Sequence, residues 1–400
     1  MDFTQRQIML SLAYVAYTDQ LLLTGSPTLD TQIKADIESA LSADAATPIP
    51  PVAGQWSVVW GPVTYTVPGA LYQDNLMYVA RLNQEPSDPG PTQYAIAVRG
   101  TNGTVLLDWL LEDFDILQTM PWPPGASGSD VVGQISESTN IGLTALLNMQ
   151  DGETGQTLLQ YLTQKIHHAG SKAVSVCCAG HSLGAALSST LALYLRDNQS
   201  TWDPDSNAIV TTINFAGPSA GDADFAAYFD QQFSYTGTSP LSFWDSPTTS
   251  PNSYADCVRT SLDIAPLVWN ATSMKNQIES IYTGQGIHDI LAPLGTSEVI
   301  GWVVDATQVN AYTQIQAAQP TLAGTLVDRS DLPPGLSSCA WVAEAEDQHH
   351  CSYPQLLDVP SLLVVFPVTQ GISVPADAAM AHGQRIHFQS GESESRPSAP

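Results

Sequence analysis

The most constraining stretch of the chain is Val174 to Ala186, VSVCCAGHSLGAA, which is centred on Gly180-His181-Ser182-Leu183-Gly184. The pattern is G-x-S-x-G, and its flanks decide how to read it. Ala173 to Ala179 is small, apolar and partly β-branched, as a buried parallel strand should be. Ala185 to Arg196 carries apolar residues at helical spacing without a breaker. A strand running sharply into a helix lifts the residue at the turn out of the sheet edge. That residue takes a strained backbone conformation, and the neighbouring chain passes too close for side chains. Gly180 and Gly184 suit those neighbouring positions. A serine hydroxyl is a weak nucleophile and needs this exposure beside a base. The helix after the turn aims its N-terminal N–H groups at a reacting carbonyl. Ser182 is therefore the candidate nucleophile.

An α/β architecture of 400 residues can form one body with long insertions. The expected organisation is an N-terminal helical and loop extension over 1–54, a catalytic domain over 55–366 and a polar tail over 367–400. Strands are expected at Gln55–Val67, Asn75–Leu82, Gln93–Val98 and Ala208–Ala216, and helices at Gly155–Gly170 and Asp222–Phe233. Asp222 is a good N-cap for the last of these.

Charge narrows the range of partners. Twelve basic against 39 acidic residues leave a formal −27. Such a surface repels phosphate backbones and excludes nucleic-acid binding as a working function. No run approaches 18 uninterrupted apolar residues, so no transmembrane segment is expected. The N-terminus opens on Asp2 without a basic region or a clear cleavage site, which argues against a signal peptide. A soluble protein is expected, with secretion and a cytoplasmic location both open, and the sequence does not speak to oligomeric state. Among the five cysteines, Cys177 and Cys178 read as buried small hydrophobes. Cys339 and Cys351 are candidates for a bridge, with Cys257 left over.

The order of motifs adds a resemblance. YAIAVRGT (94–101), then Asp108-Trp109-Leu110, then GHSLG, then NFAGPSAGDADFAAY (214–228) resembles the class 3 lipases, the fungal-type triacylglycerol lipase family and its bacterial relatives. The likeness covers about Gln55 to Tyr353. It implies an α/β-hydrolase fold: a mostly parallel central sheet, helices on both faces, and a helical lid or cap. It implies carboxylic ester hydrolysis without a cofactor, on a lipid or other ester substrate, with action at an oil–water interface in view. By the same resemblance, Thr101 supplies one oxyanion-hole donor and the backbone N–H of Leu183 the other. Two such fixed donors matter, because removing one from a site of this kind costs about 3–4 kcal/mol of transition-state stabilisation. A lid would fall within 104–127, an amphipathic stretch carrying Trp109 and Trp122; a fixed core helix ending at Pro121 is the alternative. One departure is Asn140, where the family usually has histidine.

α/β-hydrolases order their triads Ser, acid, His. CVRTSLDIAPLV (257–268) resembles the family's short strand followed by an aspartate, which makes Asp263 the acid, with Asp256 and Asp289 as rivals. The family's histidine with a tyrosine four residues later selects His349 with Tyr353, and His350 is the rival base. No third ligand sits near these histidines at a metal-binding spacing in sequence, so no metal is expected. Phospholipase, feruloyl esterase or polyester hydrolase activity is compatible with the same residues, and a non-catalytic lipid-binding protein is the rival from another class.

Overall fold

The computed structural model describes residues 3–18, 29–65, 75–85, 87–99, 116–170, 172–236, 252–278, 280–282, 304–305, 307–327 and 337–365. These fall within one compact unit, Met1–Val368. Eight strands are named in chain order: β1 (Trp56–Tyr65), β2 (Asn75–Leu82), β3 (Thr92–Arg99), β4 (Thr119–Trp122), β5 (Gly133–Ser136), β6 (Val174–His181), β7 (Ala208–Phe215) and β8 (Ala255–Val258). Six of them form the central sheet in the order β1-β2-β3-β6-β7-β8. The β1–β2 and β2–β3 pairs are antiparallel, while β3, β6, β7 and β8 run parallel. The strand expectations fall within two residues of the observed bounds, because the β-branched runs are bounded by turn residues on both sides.

The helices used below are α1 (Gln5–Val15), α2 (Leu29–Leu41), α3 (Glu137–Asn148), α4 (Leu158–Ala169), α5 (Leu183–Asp197), α6 (Ala223–Phe233) and α7 (Ser337–Glu346). Thr4 and Gln7 close a capping box at the start of α1. Asp222 caps α6 by accepting from the Phe225 N–H at 2.8 Å, the role expected of it. Every residue of β6 is buried, so both faces of that strand are covered. α1 and α5 both pack against β6 and its neighbours β3 and β7. The N-terminal helix thus lies against the centre of the sheet. It is also pinned to β8, where the Arg6 guanidinium donates to both carboxylate oxygens of Asp256 at 2.7 and 3.0 Å.

Two stretches were not foreseen. β4 and β5 form a small antiparallel hairpin, and α3 follows it. The second half of the lid candidate, 116–127, contributes β4 rather than a helix. Trp122 is buried there, and its indole N–H donates to Asp197 at 3.0 Å. The first part, through residue 115, lies outside the described residues. Asn140 falls within α3, two residues before Gly142. A side chain at Gly142 would come within 2.6 Å of Leu187, so the glycine permits close packing of α3 on α5.

Candidate active site

The turn between β6 and α5 behaves as its sequence demands. Ser182 takes φ 59° and ψ −131°, a region that costs a non-glycine residue on the order of 1–3 kcal/mol. The strain is held by neighbours: the Ser182 N–H donates to Phe215 O at 2.9 Å, and the Ala185 N–H to Ser182 O at 2.9 Å. A Cβ on Gly180 would sit 2.1 Å from the Gly184 carbonyl oxygen, so position 180 admits no other residue. Leu183 is the first residue of α5, and its N–H is one of the donors that a helix start leaves without an intrahelical partner.

Ser182 Oγ donates to His349 Nε2 at 2.8 Å. His349 Nδ1–H donates to the Asp263 carboxylate, 3.1 Å from each oxygen. Tyr353 OH donates to Asp263 Oδ2 at 2.7 Å, and the Ala265 N–H to Oδ1 at 3.0 Å. Three residues separated by 86 and 167 positions along the chain thus stand in one hydrogen-bonded line. The tautomer follows from the partners, since a carboxylate only accepts and a hydroxyl facing it across the ring must donate.

Comparison with known proteins bears on the family and the fold. Residues 95–242 match the family model for lipase (class 3). The M37 lipase crystal structure is 32% identical to the chain and superposes with a TM-score of 0.72, the match covering 92% of this chain and 99% of that one. The chain belongs to the class 3 lipase family. It is a serine carboxylic ester hydrolase with the α/β-hydrolase fold. Lipase II from Rhizopus niveus is 15% identical, with TM-score 0.41 over 67% of this chain and 76% of that one. A lipase from Rhizopus microsporus var. chinensis is 13% identical, with TM-score 0.38 over 66% and 69%. No curated protein matches the chain.

The electrostatics of this class 3 lipase suit general-base chemistry. Burial holds the His349 imidazole well below its ordinary value, and the neighbouring His350 adds to that effect. His349 is therefore neutral and ready to accept a proton at neutral pH. Burial also raises the Asp263 carboxyl, to about 6, while its donors Ala265 and Tyr353 pull in the opposite direction.

The rivals have other partners. His350 Nε2 lies 3.3 Å from Glu346, so its side chain is directed to its own helix. Asp256 is engaged by Arg6. Asp289 and Thr101 lie outside the described residues, as does the side chain of Cys339; Cys351 is a buried thiol rather than half of the candidate bridge. The tail, 367–400, lies outside as well.

Sequence reasoning missed one crowding. The imidazoles of His181, His349 and His350 converge, each with a nitrogen within 4.8 Å of the others. The third histidine is distant in sequence, which is why spacing did not find it. Each ring already has a hydrogen-bonding or charged partner: Asp263 and Ser182 for His349, the His349 carbonyl for His181, Glu346 for His350. Among the described residues, no helix is long and apolar enough to cross a membrane.

Proposed function

We propose that Ser182, His349 and Asp263 are the catalytic triad of this lipase, with the Leu183 N–H and Thr101 as oxyanion donors. The observation that carries the reading is the continuous line Ser182 Oγ–His349–Asp263 at hydrogen-bonding distances. Ser182 Oγ attacks the ester carbonyl, and its proton passes to His349 Nε2. The carbonyl oxygen gains charge beside the N–H groups at the start of α5. Ionised Asp263 stabilises the imidazolium and keeps its tautomer. His349 returns the proton to the leaving alcohol as the C–O bond breaks, which leaves an acyl-serine. Water then gives a proton to His349 and attacks the acyl carbon. The proton returns to Ser182 as the acid departs.

The substrate reading is an acylglycerol or related lipid ester met at an oil–water surface. It is supported by exposed Leu117, Met120 and Val309. Two of the segments that carry them are tied together, since Asn310 Nδ2 donates to the carbonyls of Ile116 and Leu117 at 2.8 and 3.0 Å. The 55–366 domain with an N-terminal extension remains the proposed organisation, the extension contributing α1 to the sheet.

The test is hydrolysis of p-nitrophenyl esters from acetyl to palmitoyl by wild type and Ser182→Ala. Turnover lost in the variant supports the nucleophile, and the chain-length optimum separates esterase from lipase. Turnover that survives Ser182→Ala overturns the reading.

A further inference from the structure

His349 sits on an unusual piece of backbone. α7 ends at Glu346, and Asp347–Cys351 forms a single π-type turn. The Ser352 N–H donates to Asp347 O, five residues back. Such turns are rare and poorly stabilised on their own. Here three successive carbonyl oxygens each take a side-chain donor. Ser352 Oγ donates to Gln348 O. His181 Nε2–H donates to His349 O at 2.9 Å. Tyr14 OH donates to His350 O at 2.6 Å.

The last two donors come from separate elements. His181 is the final residue of β6, one residue before the nucleophile, and Tyr14 lies on α1, 336 positions from the carbonyl it holds. They also brace each other. The Tyr14 ring meets the His181 ring edge-on at 5.1 Å, and Tyr17 OH donates to the His181 carbonyl at 3.0 Å. The nucleophile strand, the first helix and the base turn are thereby tied together within one residue of both Ser182 and His349.

We propose that His181 and Tyr14 are positioning residues: by holding the His349 and His350 carbonyls they keep the His349 ring on Ser182 and Asp263. The inference rests on His349 being the base. His181 must donate here, because a carbonyl carries no proton. Burial and the facing His349 and His350 also hold its ring well below the ordinary histidine value, so it adds no positive charge beside the imidazolium that forms in turnover. A displacement of about 1 Å at a reacting group can cost on the order of a hundredfold in rate, so losing one of two braces should cost about tenfold.

The experiment compares Tyr14→Phe, His181→Phe and His181→Gln with wild type. Phenylalanine at 181 keeps a ring against Tyr14 and Tyr17 but has no donor, whereas glutamine restores a donor at similar reach. Each is assayed for kcat and KM on a soluble p-nitrophenyl ester and for the rate and final extent of fluorophosphonate labelling. The downfield proton resonance of His349 Nδ1–H is followed as well. Both phenylalanine variants are expected to lose about tenfold in kcat and in labelling rate. KM should stay within about twofold and labelling should still reach completion. His181→Gln is expected within about threefold of wild type, and the Nδ1–H resonance should broaden or shift in the phenylalanine variants.

Unchanged kcat and labelling rate in both phenylalanine variants overturn the proposal. So does a fall in labelling extent that tracks kcat at constant rate, since that marks misfolded chains rather than misplaced bases. His349→Asn runs alongside. If it turns over normally, the assignment of the base has failed. If it is inactive while the brace variants are normal, the brace alone has failed.

Discussion

Replacing Asp263 by Asn should make the protein more stable and nearly inactive. The carboxyl is buried, and burial raises it from 3.8 to about 6. A rise of that size means that the ionised form costs the folded state about 3 kcal/mol relative to a neutral group of the same shape. The sign follows from proton counts. Below about 4, Asp263 is protonated in folded and unfolded chains alike, so wild type and variant should match. Between about 4 and 6 the unfolded chain has released its proton while the folded one keeps it, so wild-type stability falls as pH rises. Above about 6 the full difference is present. Catalytically, the Asn amide N–H faces His349 Nδ1 and drives the ring proton to Nε2, which then cannot accept from Ser182. In serine triads that change costs on the order of 10⁴ in kcat. The assay is equilibrium urea unfolding of both proteins at pH 4 and pH 8, with kcat at pH 8. A variant no more stable at pH 8, or a gain equal at both pH values, refutes the electrostatic argument. Retained turnover refutes the role of Asp263.

Tyr353→Phe removes a 2.7 Å donor from the Asp263 carboxylate. The Asp263 carboxyl should rise further, and the acid limb of kcat/KM should move up by about one pH unit, read from a pH–rate profile. Arg6→Leu leaves buried Asp256 without its bidentate partner. A loss of about 3 kcal/mol is expected at neutral pH, shrinking as the pH falls and the carboxyl, already raised by burial, takes up a proton; thermal melts across pH check it. Gly180→Ala drives a methyl into the Gly184 carbonyl, so soluble yield and melting temperature should both drop, with at least about 3 kcal/mol lost.

Much of the site was legible because its constraints are local. The elbow's glycines, the β-branched strand before it and the unbroken apolar helix after it all act within a few residues of Ser182. The same holds for the Asp222 cap and the strand bounds. The choice of His349 over His350 was legible only through the resemblance to the family's histidine and tyrosine spacing. His349 and His350 are adjacent, and on a helical turn adjacent side chains leave the axis about 100° apart, so only the packed neighbours decide which one faces Ser182. Asp256 and Asp263 were likewise rivals until Arg6, 250 positions away, took the first. The β4–β5 hairpin escaped notice because Pro121 and Pro123 break any clear alternation. The π-type turn escaped because three of its braces are side-chain donors that no periodicity encodes.

By itself the sequence determined the parallel strand, the strained serine and the helix behind it, since each follows from steric and hydrophobic rules acting over a dozen residues. The acid-rich composition, 39 acidic against 12 basic residues, is likewise a property of the sequence alone. The tertiary structure alone decided which histidine meets the serine, which aspartate stays with it, and that α1 and His181 grip the turn between them. Those outcomes depend on contacts spanning 86 to 336 positions, and only the folded chain brings such distant groups within hydrogen-bonding distance.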